Sequence, residues 1–148
     1  MRKIYLDVCC LCRPFDNQDQ YTIRQDSESI KEILKRCHNQ YILVGSEMID
    51  DELCRIGNSH KKDVVNAIMQ ISREYVVIDN EIKKRTYVLK SMGFHSADAI
   101  HIACAERAQS IFLTTDKQIL QIAKRNSQLL NTPIAHPVIW LEGGVNGD

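Results

Sequence analysis

Residues 96–116, SADAIHIACAERAQSIFLTTD, decide the fold class of this chain. From Ala97 to about Gln109, small residues recur among Ile and Cys, which predicts a helix that packs closely against a sheet. The apolar run at 111–114 then predicts a short buried strand. Asp98 lies near the start of the helix and Asp116 follows the strand. A helix that leads into a buried strand is the repeating unit of an α/β fold.

The rest of the chain alternates in the same way, which predicts parallel strands with helices on both faces of the sheet. One domain is expected over residues 1–148, with a polar tail at 142–148. Residues 9–20 are expected to form a loop with some helical turn, and Ser46 and Ser96 to cap the helices that follow them. Strands are expected at 3–8, 41–44, 75–78, 111–114 and 138–141, and helices at 22–38, 47–56, 61–72, 80–92, 97–109 and 117–125.

Acidic residues follow strands or open helices in four segments of the chain. Asp7 ends Ile4–Asp7, an acidic run follows Ser46, Asp98 opens its helix, and Asp116 follows two threonines. In a parallel α/β chain these positions share one edge of the sheet, so the four carboxylates can converge. Converging carboxylates repel one another unless a cation lies between them, and hard ions such as Mg²⁺ or Mn²⁺ suit oxygen ligands. The pattern therefore predicts metal-assisted hydrolysis of phosphodiester bonds.

Composition narrows the class of protein. The 148 residues carry no formal net charge and 44% are hydrophobic, as in an ordinary globular domain. Neutrality argues against a protein that coats nucleic acid through basic charge, although it allows a nuclease. No apolar run approaches a membrane span, Asp7 interrupts any secretory signal, and a cytoplasmic location is expected. The six cysteines are expected to be buried free thiols.

Four motifs together resemble the PIN-domain family of metal-dependent ribonucleases, in order and over nearly the whole chain. They are Ile4–Asp7, Ser46–Glu52, Ser96–Ala105 and Phe112–Asp116. The resemblance implies a parallel sheet of four or five strands in a three-layer α/β/α arrangement. It also implies an endoribonuclease that uses Mg²⁺ or Mn²⁺ and leaves a 5′-phosphate and a 3′-hydroxyl. Many small members are similar to the VapC toxins, so a small antitoxin partner and a homodimer are further expectations.

The second acidic position is ambiguous in the sequence. Glu47, Asp50, Asp51 and Glu52 lie within six residues, and acids are common in the first turn of a helix because they complement its dipole. The family pattern favours Glu52. The expected metal-binding and catalytic set is therefore Asp7, Glu52, Asp98 and Asp116.

Each candidate also has a structural interpretation. Asp7 and Asp116 are each able to cap a helix, and Asp98 to complement a helix dipole. Four further residues are candidates for binding RNA: Arg13, Ser96, Thr115 and His101. His101, one turn after Asp98 on the same side of the helix, is also a candidate to support a metal ligand without touching the metal, but a place in the core or on the surface is its favoured interpretation. For Ser96 the favoured interpretation is the role of helix cap.

Two other functions compete with a nuclease. One is a module that binds RNA or a protein without cleaving it, which the filling of all four acidic positions disfavours. The other is a phosphoacceptor domain of the response-regulator type, which clusters acids at strand ends. Such a domain needs paired acids after the first strand, whereas Asp7 stands alone.

Overall fold

A five-stranded, fully parallel sheet organises the chain, as the sequence predicts. The structure is a computed structural model that describes residues 1–143, so residues 144–148 of the predicted tail lie outside it. The strand order is β3-β2-β1-β4-β5. The strands are β1 (Arg2–Leu6), β2 (Tyr41–Ser46), β3 (Glu74–Val76), β4 (Ile111–Leu113) and β5 (Ile134–Ala135).

Helices fill every connection between strands. Short 3₁₀ turns at Arg13–Phe15 and Ser127–Leu129 supplement them. Across residues 1–143, no helix combines the length and the apolar character that crossing a membrane requires. The helices are α1 (Val8–Cys12), α2 (Tyr21–Arg36), α3 (Glu47–Cys54), α4 (Ser59–Met69), α5 (Asn80–Ser91), α6 (Ser96–Arg107), α7 (Lys117–Arg125) and α8 (Pro137–Leu141).

The strand order creates a switch point beside β1. From β1 the chain moves outward to β2 and β3, then crosses back to β4 on the other side of β1. Because such crossovers are right-handed, the helices before and after this reversal cover opposite faces of the sheet. Ligands of open α/β sheets bind at the carboxyl ends of the strands at such a point. Here it lies between the ends of β1 and β4.

The core is continuous through the central strands. Ile4, Tyr5 and Leu6 of β1 are at most 1% exposed, and Tyr5 pairs in register with Phe112 of β4. Helix α6 buries its small residues, including Ala99, against this sheet. The short side chains allow the close approach that the sequence predicts for this helix.

The predicted strand at 138–141 is wrong. Those residues belong to α8, which packs against α2, and the fifth strand is the two-residue β5 before it. Pro137 at the first helical position and His136, whose Nδ1 accepts from the Val138 N–H at 3.1 Å, start the helix. A four-residue apolar run fits a buried strand and a buried helical turn equally well, so its composition misleads.

The two predicted serine caps have different outcomes. The Ser46 hydroxyl accepts from the Ile49 N–H at 3.1 Å and caps α3 as expected. Ser96 is instead the first residue of α6, His95 occupies the cap position, and neither side chain makes a cap hydrogen bond. The loop expected at 9–20 contains α1, which starts directly after Asp7.

Replacing Trp140 tests how α8 packs against the core. Trp140 is 2% exposed and stacks near Tyr41, with ring centroids 5.3 Å apart, whereas its neighbour Ile139 is 55% exposed. We expect Trp140→Ala to lower the free energy of unfolding by about 3–5 kcal/mol, because it leaves a cavity between α8 and the core. Ile139→Ala should change it by less than about 0.5 kcal/mol. Urea denaturation measures both, and equal losses would contradict this packing of α8.

Candidate active site

Asp7 stands at the junction of β1 and β4. Its N–H donates to the Leu113 carbonyl at 3.0 Å, which extends the pairing of the two strands by one step. The side chain is 6% exposed, and its Oδ2 accepts from the Thr114 hydroxyl at 2.7 Å and the Cys9 thiol at 3.3 Å. It makes no side-chain cap bond to α1, so the interpretation of Asp7 as a helix cap is wrong.

Asp116 begins α7 on the other side of the same junction. Its Oδ1 accepts from the N–H groups of Gln118 and Ile119 at 2.8 and 3.2 Å, so this residue does cap its helix. Its own N–H donates to Thr114 Oγ1 at 3.1 Å. Thr114 therefore connects Asp116 to Asp7 by two hydrogen bonds, a role that the sequence analysis missed although the residue lies in the Thr-Thr-Asp motif.

Asp98 is the third residue of α6 and is half-buried at the same edge. Burial, and then the negative charges of Asp7 and Asp116, raise the pKa of its carboxyl to about 6. Burial likewise raises the pKa of Asp7 to about 7. The charges of Asp7 and Asp116, from separate parts of the chain, thus both act on the Asp98 carboxyl, which is an arrangement that a bound cation would relieve.

The four acids of α3 point to different partners. Glu47 Oε1 accepts from the Ile78 N–H, Asp50 accepts from the Tyr75 hydroxyl, and Asp51 pairs with Arg55 at 2.7 Å. Glu52 is the member of this group that contacts α6, through a 2.7 Å hydrogen bond between its Oε1 and His101 Nε2. Glu52, the acid that the family pattern favours, is therefore the one of the four that is bonded to the helix carrying Asp98.

His101 does not face solvent. It is 0% exposed, and its Nδ1 lies 2.6 Å from the Tyr5 hydroxyl on the side opposite Glu52. The suggestion that His101 contacts RNA is therefore wrong for this structure, and the interpretation as a core histidine is correct. Ser96, by contrast, is exposed at the start of α6 and remains a candidate.

The six cysteines are all free, but only three are buried. Cys10, Cys37 and Cys104 lie in the core, Cys54 is exposed, and Cys9 and Cys12 are half-buried. Cys9 lies among the functional candidates, since its sulfur is 3.3 Å from both Asp7 Oδ2 and Thr115 Oγ1. The sequence analysis missed it, although its position two residues after Asp7 is a usable signal.

A cavity of about 500 Å³ adjoins the carboxyl cluster. Its polar lining includes Arg13, Thr115 and Lys117, and Ile139 contributes an apolar part. The Arg13 guanidinium donates to Asp26 and Asp16 at 3.1 and 3.2 Å, so two acids already hold it. Within residues 1–143, Lys117 has no hydrogen-bond or ion-pair partner and is the freer cation for a phosphate.

The carboxyl cluster offers oxygen donors of the kind that hard divalent ions bind. The donors are carboxylate oxygens, the ligand type that Mg²⁺ and Mn²⁺ prefer. Among residues 1–143, no three His, Cys, Asp or Glu side chains are grouped closely enough to enclose an ion directly. Mg²⁺ commonly binds through one or two carboxylates and several waters, which this arrangement allows.

Comparison with known proteins shows similarity of fold. No protein-family model matches the sequence, and no curated protein matches it significantly. The chain is similar to FitAcB from Neisseria gonorrhoeae, with 16% identity, a TM-score of 0.61 and coverage of 90% of this chain and 97% of that one. A structure of FitAB bound to an IR36 DNA fragment is 18% identical, with a TM-score of 0.54 and coverage of 91% of this chain and 95% of that one. VapBC2 from Rickettsia felis, bound to a DNA fragment from its promoter, is 10% identical, with a TM-score of 0.57 and coverage of 89% of this chain and 96% of that one.

Removing one charge from the cluster should stabilise the metal-free protein. The pKa of Asp98 is about 6 in the folded state against 3.8 ordinarily, so the folded state holds the proton more tightly. Protonated Asp98 therefore favours the folded state at low pH, and this contribution is lost as pH rises from about 4 to about 6. Above that range the free energy of unfolding carries the full cost of ionising Asp98 in the folded protein. At pH 7.5 in EDTA we expect Asp98→Asn to raise the melting temperature by a few degrees.

Asp79→Asn is the matched control with the opposite sign. Hydrogen bonds from Arg107 and the Ile82 N–H lower the pKa of Asp79 to about 2, so its charge is favourable. This variant should lower the melting temperature at pH 7.5. A lower melting temperature for Asp98→Asn under the same conditions would show that the charge of Asp98 does not destabilise the folded protein.

Proposed function

We propose that this protein is an endoribonuclease that hydrolyses RNA phosphodiester bonds with Mg²⁺ or Mn²⁺. The proposal rests on one observation: at the switch point of a parallel sheet, the half-buried Asp98 carboxyl lies within electrostatic reach of both Asp7 and Asp116. Glu52 is the proposed fourth acid, because it is bonded to His101, one turn beyond Asp98 on α6. These four residues are the proposed ligands, directly or through water.

The chain's own residues prepare the site. Thr114 holds Asp7 and Asp116 together through its hydroxyl, and His101 holds Glu52. Thr115, Lys117 and Arg13 line the neighbouring cavity, where they would bind the phosphates of a single strand. The exposed Ser96 would contact RNA at the opening of α6. When bound, the metal would lower the pKa of a coordinated water and offset negative charge on the scissile phosphate.

The similar structures support a cellular role as one member of a two-protein complex. VapBC2 carries the name of the VapC group that the sequence motifs resemble, and FitAB is likewise named as a pair. We therefore propose that the protein is the toxin of a toxin–antitoxin pair, silenced by a small antitoxin. A homodimer and a cytoplasmic location complete the proposal, and the six free cysteines suit a reducing compartment.

A non-cleaving module that binds RNA or protein is the second candidate. It is favoured by the absence, among the described residues, of three closely grouped metal ligands. It leaves unexplained why the fold collects carboxyl groups at one point, because a cluster of like charges lowers stability unless something binds to it.

Cleavage of a mixed RNA panel tests the proposed reaction. The wild type should cut in Mn²⁺ or Mg²⁺ but not in EDTA, and Asp7→Asn and Asp98→Asn should each reduce cutting by more than about 100-fold. Loss of a metal's outer hydrogen-bond partners already costs roughly 10–100-fold, so loss of a ligand should cost more. Asp51→Asn is the control, since Asp51 pairs with Arg55 on the exposed surface.

The same experiment separates the two candidate functions. Metal-dependent cutting that both active-site variants lose, while Asp51→Asn keeps it, would support the nuclease. Absence of both RNA cleavage and Mn²⁺ binding in folded wild-type protein would favour the non-cleaving module.

Lys117 provides a test of the substrate-binding side. We expect Lys117→Gln to raise KM for single-stranded RNA several-fold and to lower the salt dependence of binding by about 0.7 in log–log slope, the value for one phosphate contact. Lys124→Gln removes another lysine of α7 that has no hydrogen-bond or ion-pair partner among residues 1–143, and it should change neither quantity. Equal effects of the two substitutions on KM and on the salt slope would contradict a phosphate contact at Lys117.

A further inference from the structure

Four polar side chains form a continuous hydrogen-bonded chain behind the carboxyl cluster. The Ser46 and Tyr5 hydroxyl oxygens are 2.7 Å apart, the Tyr5 hydroxyl is 2.6 Å from His101 Nδ1, and His101 Nε2 is 2.7 Å from Glu52 Oε1. The four residues come from β2, β1, α6 and α3. This Ser46–Tyr5–His101–Glu52 relay therefore connects the sheet interior to the second acidic position.

The donors and acceptors of the relay have a consistent direction. A carboxylate only accepts, so His101 Nε2 must carry a proton and donate it to Glu52. In the neutral imidazole, Nδ1 is then an acceptor, and the single proton of the Tyr5 hydroxyl donates to it. The Ser46 hydroxyl completes the chain by donating to the Tyr5 oxygen, while it accepts from the Ile49 N–H. Every proton of the relay has a place.

Packing of the core alone does not explain the relay, because burying its polar groups has a free-energy cost. Ser46, Tyr5 and His101 are each 0% exposed, and burying polar groups has a cost that their hydrogen bonds must offset. Apolar residues of similar size would fill the same space without that requirement. The Tyr5 ring packs against Phe112 as an apolar residue would, so its hydroxyl is the part that packing does not explain.

Glu52 differs from the other three members, because its side chain is 27% exposed. His101 holds one carboxylate oxygen of Glu52, and the same imidazole acts electrostatically on Asp7 and Asp98, which relates Glu52 to the carboxyl cluster through His101. When a histidine holds one oxygen of a carboxylate, the other oxygen points in a defined direction. Residues that hydrogen-bond to metal ligands commonly orient them in this way.

We propose that Tyr5 and His101 are positioning residues that orient the Glu52 carboxylate toward the bound metal. This inference rests on the proposed function, since it names how one ligand of that site is aimed. Tyr5 sets the protonation pattern of the imidazole, and His101 transmits it to Glu52. Neither residue touches the metal or the RNA.

Two substitutions of His101 test the two ends of the relay separately. A glutamine amide reaches about as far as Nε2 and keeps a donor for Glu52, whereas an asparagine amide reaches only as far as Nδ1. We expect His101→Asn to weaken Mn²⁺ binding by about 10–100-fold, the usual effect of losing such a partner. His101→Gln should recover most of the affinity. Calorimetric titration with Mn²⁺ measures this, at a temperature where urea denaturation shows each variant folded.

Two further variants keep the test decisive if a substitution at His101 fails to fold. Tyr5→Phe keeps the ring in the core and removes the hydroxyl, and it should weaken Mn²⁺ binding several-fold. Combined with Glu52→Gln, Tyr5→Phe should have no additional effect on Mn²⁺ affinity, because the residue it acts through is already altered. A purely structural role for Tyr5 predicts the same loss in both backgrounds.

The outcomes distinguish the relay from the proposed function. Wild-type Mn²⁺ binding that His101→Asn and Tyr5→Phe leave unchanged would overturn the relay alone, and so would additive losses with Glu52→Gln. Absence of Mn²⁺ binding by the wild type would overturn the metal site and the relay together. Weakened binding by His101→Asn with recovery in His101→Gln would support the relay.

Discussion

The pairing of β1 on both sides, with β2 and with β4, is the constraint on which the candidate site depends. It makes β1 the buried centre of the sheet and places the chain reversal directly beside it. Asp7 is the first residue beyond this strand, and its N–H is still bonded to Leu113 of β4. A carboxylate is thereby held where two strand ends and the start of α6 meet, which is where an α/β sheet binds its ligands.

The cost of this arrangement is the burial of charged groups, to which the repulsion of Asp98 by Asp7 and Asp116 adds. Asp7 and Asp98 both have a raised pKa, so in the absence of a cation the folded state carries a penalty at neutral pH. Hydrogen bonds hold the cluster together against this repulsion, above all those of Thr114, which binds Asp7 and Asp116 at once. At a site where carboxyl groups are buried close together, the requirements of function and of stability oppose each other. A bound cation would lower the cost in stability.

Several features of the fold and site follow from local patterns. The alternation of strands and helices, and the acids that end or open them, are visible in periodicity and chain order, and the fold confirms the parallel arrangement. The prediction of the last strand is wrong, because the apolar run at 138–141 is too short for its periodicity to distinguish a strand from a helix. Pro137 also suits the start of a helix. Ser96 fails as a cap because the chain enters α6 one residue earlier than the sequence pattern indicates.

Chain order alone predicts that acids placed directly after parallel strands, as Asp7 and Asp116 are, lie at one edge of the sheet. It does not place Asp98 in the same way, because α6 follows α5 and not a strand. The tertiary structure was needed to show that Glu52 is the acid of α3 that contacts His101, that the Thr114 hydroxyl holds the Asp7 carboxylate, and that His101 is buried against Tyr5. The reason is physical: these contacts join residues 49 to 107 positions apart. The direction of each side chain depends on packing between elements, and no local pattern carries that information.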